Sequence, residues 1–191
     1  NDDGSYTVNV DVKGAVNSTT VTTTQPIDFT LVLDVSGSMA DPMSKTDRTK
    51  RLDALKEAVK AFLDEAANTN TEAGSKLVRV GLVKFAGNEK NGIGDDTYRS
   101  GGYTYNYSQI VSDLTADMND LKNKVSKLKA AGATRADNGF NRAVKVMGSD
   151  SARTDAKKVV IFFTDGSPTS SNGFEKEVAN NAVTAAKKLK D

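Results

Sequence analysis

The chain has 191 residues, no cysteine, no histidine, and 26 basic against 25 acidic side chains, for a formal net charge of +1. Without cysteine and histidine it cannot form a disulfide, a thiolate or imidazole metal site, or a Ser-His-Asp catalytic triad. The balanced charge does not indicate a nucleic-acid or anionic-membrane partner, and no apolar stretch reaches the ~20 residues of a transmembrane helix.

The first 26 residues form a segment of their own. Apolar residues from Tyr6 to Val12 alternate with polar ones, a spacing that predicts a half-exposed β-strand. A threonine-rich stretch then leads to Pro26, and we interpret residues 1–26 as an edge strand and linker from a preceding β module. Because the chain starts with neither Met nor a signal-peptide pattern, we expect it to be a fragment of a longer protein.

Residues 27–191 alternate between apolar strand patterns and amphipathic helix patterns. This alternation predicts an α/β fold with a doubly wound, Rossmann-like and mostly parallel sheet flanked by helices. The expected strands are Ile27–Asp34, Leu77–Phe85 and the run from Val159 to Phe163. The first expected helix starts at about Thr46 or Asp47, and Asn68 with Gly74 marks its end. The second contains Met118 to Leu128, the third contains Phe140 to Met147, and the fourth spans Phe174 to Lys190.

Residues 86–109 are a glycine- and tyrosine-rich insertion in this pattern. A connection of this length in a compact domain is commonly functional, and tyrosine is typical of recognition surfaces. The alternation of Tyr103, Tyr105 and Tyr107 equally favours a short hairpin with tyrosine on one face. We keep both interpretations, and we interpret the Asp-Asp pair of this segment as a solvated acidic turn rather than a second cation site.

The first strand ends in a series of oxygen-bearing side chains. Asp34, Ser36 and Ser38 are spaced two residues apart and fall on one side of an extended segment, and Gly37 lets the loop close. One carboxylate and two hydroxyls suit a hard cation such as Mg²⁺, which takes oxygen ligands and keeps waters or an outside ligand. The alternative is that Asp34 and Ser36 cap the next helix, as Asp and Ser commonly do.

Two later segments favour the metal interpretation. The loop Ala130–Arg135 lies between two predicted helices, where it can bring the Thr134 hydroxyl to the same edge. The run from Val159 to Phe163 repeats the first design and leads to Asp165. Ligands bind at the carboxyl ends of parallel strands, and there Asp34 and Asp165 would disfavour each other's charge unless a cation lay between them.

These residues resemble the motif of the von Willebrand factor A domain family and its metal-ion-dependent adhesion site. The family pattern is Asp-x-Ser-x-Ser, a distant Thr in a glycine-containing loop, and an Asp in Thr-Asp-Gly. It is matched by Asp34, Ser36, Ser38, Thr134 and Asp165. The resemblance implies that the three hydroxyls ligate a divalent cation and that the two acids hold it directly or through water. The implied cation is Mg²⁺, with Mn²⁺ and Ca²⁺ as alternatives.

The resemblance also implies a function, which is adhesion. An open coordination position would take a carboxylate from a protein partner. The β segment before the domain and the lack of cysteine look most like A domains of surface and pilus-tip adhesins of Gram-positive bacteria. The resemblance thus implies an extracellular, cell-wall-anchored protein that binds a host matrix protein or receptor. From the charge balance and the lack of a long apolar stretch, we expect neither nucleic-acid binding nor direct membrane insertion. Family members normally continue with further strands after the last predicted helix, so we expect an incomplete C-terminus.

Alternatives to adhesion are a structural or assembly domain and, less favoured, an enzyme. A phosphatase of the haloacid-dehalogenase type would use Asp34 as its nucleophile, but it needs a second acid two residues later, where this chain has Ser36. We therefore predict no enzymatic activity. Beside the motif, Arg135 would either attract an acidic partner or face solvent at a helix start. The three alternating tyrosines of the insertion are further candidate ligand contacts.

Overall fold

A computed structural model describes residues 25–170 and 173–189, so the strand and linker predicted for residues 1–26 lie almost entirely outside the described residues. The strands are β1 (Ile27–Asp34), β2 (Val78–Phe85), β3 (Glu89–Ile93), β4 (Thr97–Ser100), β5 (Tyr103–Asn106), β6 (Ser108–Thr115) and β7 (Lys157–Phe163). The helices are α1 (Arg51–Glu72), α2 (Met118–Lys127), α3 (Ala136–Met147) and α4 (Lys176–Lys187), with a short 3-10 helix at Gly37–Ala40.

Five of these strands form one sheet in the order β3-β6-β2-β1-β7. The central strand β1 is parallel to both of its neighbours, β2 and β7, whereas β6 runs antiparallel to β2 and parallel to β3. The prediction of a mostly parallel sheet is confirmed. Because the chain leaves β1 toward β2 and returns on its other side as β7, the carboxyl end of β1 is the point where the winding reverses.

Helices cover both faces of the sheet, as predicted. Leu31 and Leu33 of β1 belong to the apolar cluster that contains the buried side chains of α1 and α2, and Val32 belongs to the cluster of α3 and α4. Successive strand residues therefore enter opposite cores, which explains the unbroken apolar run from Leu31 to Leu33 in β1.

Two predicted helix boundaries are wrong. Helix α1 begins at Arg51 rather than at Thr46 or Asp47, because the preceding residues close a turn of their own. There, Ser44 Oγ accepts a hydrogen bond from the Asp47 N–H at 2.9 Å, and the Asp47 carboxylate accepts one from the Thr49 N–H. Polar side chains that bond neighbouring backbone compete with helix formation in this way.

Helix α4 spans Lys176–Lys187, shorter than the predicted Phe174–Lys190. Phe174 precedes the helix and is 64% exposed, so it is not one of the core residues of that helix. The loop before α4 is closed by the Glu175 N–H, which bonds the Pro168 carbonyl at 2.9 Å, and by the Glu175 carboxylate, which accepts from Ser170.

The insertion at residues 86–109 contains β3 and the antiparallel hairpin of β4 and β5, so the hairpin interpretation of its conformation is confirmed. Tyr98 stacks on Tyr105 with ring centroids 5.3 Å apart and also contacts Tyr107. The base of the insertion is tied to the sheet by Lys84, a fully buried residue of β2 whose ammonium bonds the Asp95 carboxylate and the Asp96 carbonyl. Asp95 is thus the counter-ion of a buried lysine, and the Asp96 carboxylate pairs with Lys90 and accepts from Gln109, so the pair is more than a solvated turn.

Strand β6 was not predicted. Its sequence mixes apolar residues with buried polar ones, Ser108, Gln109 and Ser112, so neither strict alternation nor a continuous apolar run marks it. Its pairing with β2 also contains register shifts. The polar side chains are buried because they bond neighbouring segments. For example, Ser108 Oγ accepts from the Ala86 N–H and donates to the Gly87 carbonyl.

Candidate metal site

The predicted site residues lie at the carboxyl end of the central strands. Asp34 is the last residue of β1, and Asp165 follows β7, the neighbour of β1 in the sheet. The loop after β1 holds Ser36 and Ser38 at the start of the short 3-10 helix. Parallel pairing therefore brings two acids that are 131 positions apart in the sequence to one edge of the sheet.

Asp34 has no exposed surface, and both of its carboxylate oxygens accept hydrogen bonds. The Ser36 N–H donates to Oδ1 at 2.8 Å, and the Thr164 hydroxyl donates to Oδ2 at 2.8 Å. Burial raises the pKa of the Asp34 carboxyl above its ordinary value, the bonds from Ser36 and Thr164 oppose the rise, and the charge of Asp165 adds to it. A buried carboxylate of this kind is stabilised by a nearby cation.

The helix-capping alternative does not describe these residues. The Asp34 side chain bonds the backbone two residues on, within the loop. Ser36 is the N-cap of the 3-10 helix, but its side chain makes no capping bond, and Lys50 holds that position at α1. The hydroxyls instead face one another and Asp165: Ser36 Oγ lies 3.1 Å from Ser38 Oγ, which donates to Asp165 Oδ1 at 2.9 Å.

Thr134 is buried and reaches this region through backbone hydrogen bonds. Its N–H and carbonyl pair with Thr169, which follows Asp165 in the chain, at 2.9 and 3.1 Å. The preceding loop residues are bonded to the loop after Asp34, with the Gly37 N–H on the Gly132 carbonyl and the Ala131 N–H on the Val35 carbonyl. The loop that carries Thr134 is therefore fastened to both of the acid-bearing loops.

Gly132 is required in that loop for two reasons. Its φ of +104° lies in a region that L side chains rarely adopt. A Cβ atom added there would also lie 2.9 Å from the Tyr105 ring. The tyrosine hairpin thus packs directly against the backbone that holds Thr134.

Arg51 contacts the predicted site but was not predicted as part of it. This first residue of α1 places Nη1 2.6 Å from Asp165 Oδ2, and the side chains are 33% and 12% exposed, respectively. The two residues are separated by 114 positions, so no local spacing relates them.

Asn106 is a second residue that sequence reasoning missed. It is buried at the end of β5, and its side-chain amide donates to the carbonyls of Val35, Lys129 and Ala131 at 3.0, 2.7 and 3.3 Å. One side chain therefore joins the hairpin to the loop after Asp34 and to the loop that carries Thr134. A single Asn in a tyrosine-rich run gives no sequence signal for this role.

The predicted ligand contacts occupy different environments. Arg135 has its Nε and Nη2 on the two carboxylate oxygens of Asp137, at 3.0 and 2.8 Å, so it neither faces solvent freely nor is left without a counter-ion. Tyr103 is 73% exposed at the tip of the hairpin, whereas Tyr105 and Tyr107 are half-buried around Tyr98.

The donor set is compatible with a hard divalent cation. Its members offer oxygen atoms only, with hydroxyls outnumbering carboxylates, as Mg²⁺ accepts. Within residues 25–170 and 173–189, no group of three or more Asp, Glu, His or Cys residues has the arrangement of a metal site. A cation at this edge would therefore depend on the serine and threonine hydroxyls.

Solved structures with the same fold include domains of pilus proteins. The pilus adhesin RrgA from Streptococcus pneumoniae is 24% identical, with a TM-score of 0.56 over 76% of this chain and 21% of that one. The adhesive tip pilin GBS104 from Group B Streptococcus agalactiae is 23% identical, with a TM-score of 0.55 over 76% and 46%. The vWF domain of the type V pili tip protein Mfa5 from Porphyromonas gingivalis is 21% identical, with a TM-score of 0.54 over 76% and 40%.

At these identities the likeness shows a shared fold, and the chain spans less than half the length of each of these proteins. No curated protein matches the sequence significantly. The sequence model of the von Willebrand factor type A domain matches residues 28–190, nearly the whole chain. This match, together with the doubly wound fold, shows that the chain belongs to the von Willebrand factor type A domain family.

Proposed function

We propose that this domain binds a protein partner through a divalent cation held by Asp34, Ser36, Ser38, Thr134 and Asp165. The observation that carries the proposal is the unbroken series of contacts from the Asp34 loop through the two serine hydroxyls to Asp165. Mg²⁺ fits these donors best, with Mn²⁺ and Ca²⁺ as alternatives.

The chemistry of such a site favours an acidic partner. Hydroxyl ligands are neutral, so they leave most of the charge of the cation uncompensated. A carboxylate from the partner would occupy an open coordination position and neutralise part of that charge. The exposed Tyr103 and the neighbouring Tyr105, Tyr107 and Arg135 would contact the partner around this central bond.

We further propose that the domain works in adhesion outside the cell, as part of a larger cell-wall-anchored protein that binds a host matrix protein or receptor. The proposal is supported by the shared fold with proteins named as pilus adhesins and tip pilins. In the part of the chain that the structure describes, no helix has the length and apolar character needed to cross a membrane.

A second candidate function is that of an assembly domain without adhesive activity. It is favoured by the ion pair between Arg51 and Asp165, which satisfies one of the two acids without a metal. A phosphatase is less favoured, because Asp34 is buried and both of its oxygens already accept hydrogen bonds, a poor arrangement for a nucleophile.

Calorimetric titration of chelator-treated protein with Mg²⁺ and Mn²⁺ tests the proposal. We expect one site in the wild type, none in Asp34→Ala, and an unchanged site in Asp41→Ala, which removes an exposed acid close to the same loop. Adhesion is then measured on immobilised matrix proteins, with and without chelator. A folded wild-type domain that binds no cation would reject the metal site and leave the assembly function as the better account.

A further inference from the structure

The ion pair of Arg51 with Asp165 sets the charge of the candidate site. Asp165 uses Oδ1 to accept from the Ser38 hydroxyl and Oδ2 to accept from the Arg51 guanidinium. Arg51 Nη1 also lies 3.5 Å from the Ser38 carbonyl, so the arginine spans the end of the serine loop and the acid after β7. Asp165 is held in place from both sides without a metal.

The need for this arginine follows from the two acids. Asp34 is fully buried, and Asp165 brings a second acid to the same edge, where the Ser36 and Ser38 hydroxyls connect it to the Asp34 loop. A guanidinium keeps its charge at every pH at which proteins are folded, so Arg51 offsets one of the two negative charges permanently. A divalent cation, the two acids and Arg51 would together carry one net positive charge, which a single carboxylate from the partner would neutralise.

We propose that Arg51 is a built-in counter-ion that holds Asp165 in the metal-free domain, weakens cation binding by repulsion and strengthens the capture of a carboxylate. This inference rests on the proposed function, because it assigns a role at the same metal site. Arg51 is a positioning residue here, acting through Asp165 and through its charge rather than as a ligand of the cation.

Three variants test the proposal. Arg51→Ala removes the contact and the charge, Arg51→Lys keeps the charge, and Lys50→Ala removes the neighbouring charge, for which the described residues show no side-chain partner. Without metal, we expect Arg51→Ala to lower the melting temperature by about 3 °C, with little change in Lys50→Ala. Calorimetry should show Mn²⁺ binding about tenfold tighter in Arg51→Ala, and near-wild-type affinity in Arg51→Lys.

The carboxylate half of the proposal is measured with acetate as the probe. Acetate is titrated into the Mn²⁺-loaded proteins while the water-proton relaxation rate is recorded, since a carboxylate that displaces bound water lowers that rate. We expect acetate to bind several-fold more weakly to Arg51→Ala than to the wild type and to Lys50→Ala.

Unchanged or weaker Mn²⁺ binding in Arg51→Ala would overturn the proposal, as would acetate binding equal to that of the wild type. If the wild type binds no Mn²⁺, the proposed function fails. The metal-free melting temperatures then test on their own whether Arg51 is the counter-ion of Asp165. A lower metal-free melting temperature in Arg51→Ala than in Lys50→Ala would support that role, and equal values would reject it.

Discussion

Asp34 combines complete burial with an ionisable carboxyl group, and this combination makes its contribution to the stability of the metal-free domain depend on pH. Its carboxyl pKa is raised in the folded state, mainly by burial, so the folded protein holds the proton more tightly than the unfolded chain does. The contribution of Asp34 to the free energy of unfolding is therefore largest below 3.8, its ordinary pKa, and it declines as the pH rises through the higher folded value.

Replacing Asp34 by Asn separates the destabilising effect of its buried charge from its proposed role in metal binding. In chelator at pH 7, we expect Asp34→Asn to melt at or above the wild-type temperature, because a neutral amide avoids the penalty of a buried charge. The wild type should lose stability relative to the variant as the pH rises above 3.8, the ordinary pKa of the carboxyl. The variant should bind no Mg²⁺. Thermal melts across pH would contradict this account if Asp34→Asn were the less stable protein at pH 7.

At the scale of elements, the side-chain amide of one residue joins the tyrosine hairpin to two loops of the candidate site. Asn106 ends β5 and bonds three carbonyls that belong to the loops at residues 35 and 129–131. Because Tyr105 of the hairpin also packs against Gly132, a change in the hairpin would displace the loop that carries Thr134. This arrangement makes the hairpin a support of the candidate site as well as a neighbouring surface.

Asn106→Ala should therefore weaken cation binding although the residue is not a candidate ligand. The carbonyls of Val35, Lys129 and Ala131 would each lose a side-chain donor, although backbone N–H groups still bond the Val35 and Ala131 carbonyls. We therefore expect a loss of about 1 kcal/mol in the free energy of unfolding and at least a tenfold loss of Mg²⁺ affinity. Urea unfolding and calorimetry measure the two effects. Asn123→Ala, at an exposed position on α2, is the matched control. Wild-type Mg²⁺ affinity in a destabilised Asn106→Ala would show that the amide supports the fold only.

The whole domain places four separate segments at one edge of its sheet. They are the loop after β1, the start of α1, the loop before α3 and the loop after β7. A ligand that bridges such segments binds the folded state and not the unfolded chain, so its binding free energy adds to the stability of the entire fold.

Divalent cations should consequently raise the melting temperature of the whole domain. At a Mg²⁺ concentration of about 100 times its Kd, the gain is about 2.7 kcal/mol, which corresponds to a shift of roughly 5 °C or more for a chain of this size. Chelator should reverse the shift. We expect Asp165→Ala to abolish it and Asp155→Ala, an exposed acid before β7, to retain it. An equal shift in both variants would place cation binding elsewhere on the domain.

Local patterns were sufficient to predict the α/β class, which is confirmed, and to select the candidate ligands, whose metal binding stays a prediction. The apolar run of β1, with a polar series at its end, reflects side-chain alternation and two-sided burial, which act over a few residues. These patterns do not predict strand β6, because its buried polar residues form their hydrogen bonds with other segments. They also place the start of α1 too early, because a polar turn at Ser44 and Asp47 competes with the helix.

Arg51 and Asn106 came only from the folded arrangement. Arg51 lies 114 positions from its partner Asp165, and Asn106 lies 71 positions from its partner Val35. These contacts exist only once the parallel strands bring the loops together. The types of donor atom and the strands that present them are local properties, readable from the order of residues. Which charges and amides surround those donors depends on long-range contacts, because the topology of the sheet decides which loops become neighbours.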